Sequence, residues 1–94
     1  MAATLLLREK QLVAGIIIEI VIWELSYPLP GCKHSYKYRL FCGKEDGTGL
    51  VRYDNERAKG DHRHIQGTQY PYEFKNIRTL IEDFRRDIRE KGVT

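Results

Sequence analysis

The sequence predicts an α+β fold: an antiparallel β-sheet of about four to five strands with a C-terminal α-helix packed on one face. Three observations predict it. Runs of branched and aromatic residues fill the first half of the chain and are broken by glycine, proline and Asp-Gly turn signals. From Asn76 to Gly92 the apolar residues recur at helical spacing instead. No linker, repeat or low-complexity segment divides the 94 residues, so positions 1–94 read as a single domain.

In chain order, "ATLLLREKQLV" reads as a first strand that turns at "AG". "IIIEIVIWEL" is the strongest strand signal, because branched side chains suit a pleated surface. Ile16, Ile18, Ile20 and Ile22 fall on one side; Ile17, Glu19, Val21, Trp23 and Leu25 fall on the other. Both sides are mostly apolar, which predicts cover on two faces. One helix covers one of them. The second cover is a sheet curled on itself, a homodimer or a different protein. Glu19, a lone charge in this run, either pairs with a base at an interface or marks an exposed margin.

"SYPLPGCKH" is a loop, and "SYKYRLFCG" alternates as a strand. Tyr36, Tyr38, Leu40 and Cys42 share one face, Lys37 and Arg39 the other. "KEDGTG" turns through Asp46-Gly47, and "LVRYDNE" returns as a further strand. Pro71 limits "YPYEF" to an edge strand. In the helix, Ile77, Leu80, Ile81, Phe84 and Ile88 form one stripe, with Asn76 as N-cap and Gly92 as stop. Arg78–Glu82, Glu82–Arg86 and Asp87–Lys91 are spaced to pair on its solvent face.

Hydrophobic residues make up 41% and charged residues 31%, which excludes a disordered chain. A net charge of +3 permits a polyanionic partner without requiring one. Cys32 and Cys42 form neither a spaced metal pair nor a disulfide framework, and read as passive thiols. No charged leader opens the chain, and the apolar run from Ile16 to Trp23 is too short to cross a bilayer. The expectation is a cytoplasmic protein with no membrane contact.

Chemistry concentrates in "YDNERAKGDHRH", Tyr53 to His64. Imidazole is the side chain suited to moving protons at neutral pH, and His62 and His64, two apart in an extended segment, present their rings to one side. Asp61 is positioned to orient one imidazole. Arg57, Lys59 and Arg63 supply cations for a phosphodiester, and Gly60 allows a bend. His34, Lys37, Arg39 and Arg52 form a second, basic set interleaved with tyrosines. Histidines with nearby cations are what metal-free RNA cleavage requires. The competing readings are a solvated charged loop and a metal site built from His62, His64, Asp61 and His34.

"PGCKHSYKYRLF", "VRYDNERAKGDHRH" and "YEFKNIRTLIEDFRRDI" occur in the order and spacing of the TumE-like toxin family, which the chain resembles along almost its whole length. The resemblance implies the toxin half of a type II toxin–antitoxin pair, with a helix-turn-helix antitoxin as partner. It carries over to His34 and Tyr36–Arg39, then to Tyr53–Arg57 and Lys59–His64. Cys32 stands where a small residue such as serine is expected.

The resulting expectation is an endoribonuclease that needs no cofactor. His62, His64 and Asp61 carry its proton chemistry, and Arg57 and Lys59 stabilise the transition state. His34, Lys37, Arg39, Arg52, Tyr53 and Arg63 hold RNA. The alternatives are a non-enzymatic module that binds nucleic acid or the antitoxin, and a metal-dependent nuclease.

Overall fold

The computed structural model describes residues 3–55 and 60–91. Six strands form one antiparallel sheet in chain order: β1 (Ala3–Val13), β2 (Ile16–Leu25), β3 (Tyr36–Lys44), β4 (Gly49–Asp54), β5 (His62–Ile65) and β6 (Thr68–Pro71). Helix α1 (Ile77–Glu90) follows and packs over β4. The sheet-and-helix class is the expected one, with a strand more than the upper expectation. The additional strand, β5, is "HRHI", whose polar content reads as loop in the sequence.

Tight turns set the registers at both ends of the sheet. Ala14 (φ 52°) and Gly15 (φ 79°) join β1 to β2; Gln66 (φ 50°) and Gly67 (φ 87°) join β5 to β6. Two consecutive left-handed residues give a turn whose twist matches that of the flanking strands. The central register then pairs Val21 with Arg39 and Arg39 with Asp54, and Asp54 with His62.

The core lies between the sheet and α1. Ile20, Ile22, Tyr38, Leu40, Cys42, Val51 and Tyr53 meet Leu80, Phe84 and Ile88 there. Fully burying a side chain such as Phe84 contributes about 2–3 kcal/mol, so this one face carries most of the stability. Asn76 caps the helix, its Oδ1 accepting from Thr79 N at 2.8 Å. Gly92, the expected stop, lies outside the described residues.

Two of the ion pairs expected on the helix are corrected. Asp87 does not reach out to Lys91 on the solvent face: it is buried and pairs with Arg63 of β5 at 2.8 Å. Arg86 pairs with Asp83 instead of Glu82, whereas Arg78–Glu82 forms as expected. On β2, α1 covers the Ile20 and Ile22 side only, and no described element lies across the face of Ile17, Val21 and Trp23. Those side chains are half-buried among their own neighbours. Glu19 has its base within the chain, Arg39 of β3 at 3.0 Å.

Candidate functional site

The open face of the sheet gathers the chemistry. In an antiparallel ladder, directly opposed residues share a face. Trp23 opposes Lys37, Val21 opposes Arg39, and Phe41 opposes Arg52. Arg52 in turn opposes His64, and Asp54 opposes His62. Lys37, Arg39, Arg52, His62 and His64 therefore form one strip, running from β3 to β5 on the side away from α1. Five residues that the sequence suggests for the site are brought together by this register.

Within the strip, Asp54 is the hub. Its Oδ1 lies 2.7 Å from His62 Nε2, and its Oδ2 lies 3.0 Å from Arg52 Nε. His62 Nδ1 is 3.1 Å from the carbonyl oxygen of Gly60. The His62 ring thus faces acceptor oxygens at both nitrogens, an arrangement satisfied when both carry hydrogen. His62 is only 6% exposed, whereas His64 beside it is half-buried and reaches the surface. The two rings meet edge to face with centroids 5.2 Å apart. Arg39 lies over the Phe41 ring at 5.1 Å, so its cation is held flat on the sheet.

Asp61, expected to orient His62 or His64, does neither. Its Oδ1 accepts from His34 Nε2 at 2.8 Å and from the Tyr38 hydroxyl at 2.6 Å. His34 also stacks on Phe74, with ring centroids 3.8 Å apart, and its Nδ1 accepts from Tyr36 N at 3.2 Å. His34 therefore leaves the basic strip and belongs to a clasp tying the loop before β3 to the bend before β5. Burial, the bond to Asp61 and its negative charge push the Tyr38 phenol far above its ordinary value. Fully buried Asn55 completes the clasp: its Oδ1 accepts from Tyr38 N at 3.0 Å, and its Nδ2 donates to Tyr36 O at 2.6 Å.

Two further expectations fall on the wrong side of the sheet. Tyr53 is fully buried against α1 and donates its hydroxyl to Asp87, so it is not an RNA contact. Arg63 alternates with His62 and His64 and so points to the helix side, where Nη1 reaches Asp87 at 2.8 Å and Tyr53 Oη at 3.2 Å. Its charge is spent inside the fold. Arg57 and Lys59, expected to stabilise the transition state, lie outside the described residues.

One group among the described residues has the composition of a metal site. Donor atoms of Cys32, His34 and Asp61 all lie within 4.8 Å of one another. The wiring of His34 works against ligation. A metal-bound imidazole donates from its second nitrogen, but His34 Nδ1 receives the Tyr36 N–H, which leaves the hydrogen on Nε2. Burial and the neighbouring Asp61 charge raise the Cys32 thiol pKa, favouring the neutral form over the thiolate a metal needs. The metal set suggested by the sequence is also divided, since His62 and His64 face the opposite side of the sheet from this group.

Asp54 and Asn55 fall within the stretch that the family resemblance carries over, but the sequence assigns neither of them a role. The signal for Asp54 was available in principle, since a return strand ending in an acid can oppose the next strand's first histidine.

Fold and site together define a small α+β chain carrying a histidine-bearing basic strip on the sheet face away from α1. The family model of the toxin TumE matches residues 4–91, and the chain belongs to that family. Membership brings an antitoxin as partner. Comparison with curated proteins and with solved structures finds no match. Among the described residues, no helix is long and apolar enough to cross a membrane.

Proposed function

We propose that this toxin is a metal-independent endoribonuclease acting in the cytoplasm, with its site on the open face of the sheet. The observation that carries the reading is the cross-strand register that sets His62 and His64 beside Lys37, Arg39 and Arg52. Lys37 and Arg39 hold the RNA backbone, and Arg52 faces the phosphate to be cleaved. His64 takes the proton of the 2′-hydroxyl, whose oxygen attacks the adjacent phosphorus. The bond from phosphorus to the 5′ oxygen breaks, and His62 gives that oxygen a proton from Nδ1, the nitrogen beside the Gly60 carbonyl. Asp54 stays on Nε2 and holds the ring in place, the orienting role that the sequence suggests for Asp61. The products are a 2′,3′-cyclic phosphate and a free 5′-hydroxyl. Arg57 and Lys59 are further candidates for charge stabilisation, and the partner that silences the site is a helix-turn-helix antitoxin.

The test is incubation of 5′-labelled RNA with the purified chain in excess EDTA, with product ends mapped. Cleavage to cyclic phosphate ends, lost in His64→Ala with unchanged circular dichroism, is the expected result. Cleavage abolished by EDTA overturns the metal-free mechanism. Growth arrest that persists in both His62→Ala and His64→Ala without any RNA cleavage overturns the nuclease reading in favour of a binding module.

A further inference from the structure

The two edges of the sheet are unlike. β6 has four residues and ends at Pro71, which supplies no N–H for further pairing. β1 has eleven residues, nearly all exposed, and no described strand on its outer side. Of the six exposed large hydrophobic residues among those described, four lie on it: Leu5, Leu6, Leu12 and Val13. A long apolar edge of this kind is a template for another strand.

The register shows which backbone groups face outward. Ala14 and Gly15 form a two-residue turn, so Val13 and Ile16 oppose each other as a mutually hydrogen-bonded pair. Counting back by two, Gln11 and Glu9 turn their backbone to β2, while Leu12, Lys10 and Arg8 turn theirs to the free edge. The bond from Leu25 N to Ser35 O fits this phase, since it sends the odd-numbered residues of β2 toward β3 and the even-numbered ones toward β1.

The side chains of those outward residues select the partner. Arg8 and Lys10 oppose Val21 and Glu19 and so both project onto the open face. A second copy paired antiparallel about Glu9, the centre of the strand's charged segment, would set Arg8 against Lys10 twice and Glu9 against Glu9. Like charges directly opposed are unfavourable. A strand with acidic residues at alternate positions would meet Arg8 and Lys10 with opposite charge. The chain as a whole carries +3, which suits an acidic partner.

We propose that the free edge of β1 receives an extended segment of the antitoxin, bearing acidic side chains at alternate positions. The segment continues the sheet as a further antiparallel strand, with apolar residues over Leu12 and carboxylates beside Arg8 and Lys10. This inference rests on family membership and edge geometry, and is independent of the nuclease reading.

The test uses Lys10→Pro in the full chain. Lys10 N–H does not serve the β1–β2 ladder, so proline there removes an outward donor while the sheet stands. Arg8→Glu with Lys10→Glu is the second variant, changing charge without touching the backbone. The probe is a synthetic seven-residue peptide of alternating glutamate and valine, titrated into isotope-labelled chain and followed by amide shifts, with the lysine-for-glutamate peptide as control. Saturable shifts at Arg8, Lys10 and Leu12 with the glutamate peptide alone are expected, weakened at least about tenfold in both variants. Co-expressed with the cognate antitoxin, both variants are expected to arrest growth without being rescued. Shifts confined to the face of Lys37, Arg39 and Arg52, equal response to both peptides, or no response would overturn the proposal. So would concentration-dependent protection of β1 amides in the free chain, which would mark the edge as a homodimer contact. Loss of arrest in either variant, with folding intact, would instead place β1 in the toxic activity and likewise overturn it.

Discussion

Asp54 and His62 face each other across β4 and β5, carboxylate Oδ1 to ring Nε2 at 2.7 Å, while the adjacent Asp61 serves a different histidine. The two acids of one short segment thus separate into an orienting group on the open face and a clasp at the sheet's end. Asp54→Asn keeps the size of the side chain and removes its charge. Cleavage is expected to fall by about 10²-fold or more, with a changed pH–rate profile and nearly unchanged melting. Asp61→Asn is expected to do the reverse, lowering stability by about 1–3 kcal/mol as His34 and Tyr38 lose a charged acceptor. Parallel kinetics and denaturant melts separate them.

His64→Ala is expected to reduce RNA cleavage by about 10²–10⁴-fold, the usual span for loss of a general base. The half-buried position of His64 lets the fold tolerate the change. A rate assay on purified protein with EDTA present throughout checks it.

Tyr53 and Asp87 meet in the core, and Arg63 completes the trio. Asp87→Ala strands both partners. The expected cost is about 2–3 kcal/mol, less than for a fully buried pair because Arg63 keeps contact with water. Tyr53→Phe is expected to lower stability by about 1 kcal/mol while leaving RNA cleavage unchanged. Urea melts alongside the cleavage assay check both, and the second result separates a core tyrosine from a substrate contact.

Gly43 sits at an irregularity in the β3–β4 pairing. A Cβ there would fall into the Phe41 ring and the Thr48 carbonyl. Gly43→Ala is expected to cost about 1–3 kcal/mol, as overpacking does, and to disturb Arg39, which rests on the same ring. A lowered melting midpoint checks it.

Alkaline pH is expected to unfold the chain early. Burial, then hydrogen bonds to Asp61, Asp87 and Asp83, raise the phenols of Tyr38, Tyr53 and Tyr72 respectively above their ordinary value of 10.0. A raised folded-state pKa means that the native state holds its proton longer than the unfolded chain. The associated stability is complete below about pH 10 and is lost as pH rises beyond it. Denaturant midpoints measured from pH 8 to 11 are expected to fall steeply at the upper end, less steeply in Tyr38→Phe.

Periodicity alone makes much of the fold legible. A period of two divides Tyr38, Leu40 and Cys42 from Lys37 and Arg39, and a helical period picks out Leu80, Phe84 and Ile88. The final strands are harder to read, because "HRHI" has a loop's composition and becomes a strand only through pairing with β4. The candidate site divides along the same line. Local spacing is enough to put His62 and His64 on one side, since residues two apart in an extended chain point together. It also argues for Asp61 as their partner, on nearness along the chain. Neighbouring positions in an extended chain face opposite ways, however, so Asp61 and Arg63 are turned from the rings they flank. The residue that reaches His62 comes from eight positions earlier, across a ladder whose register exists only in the folded sheet.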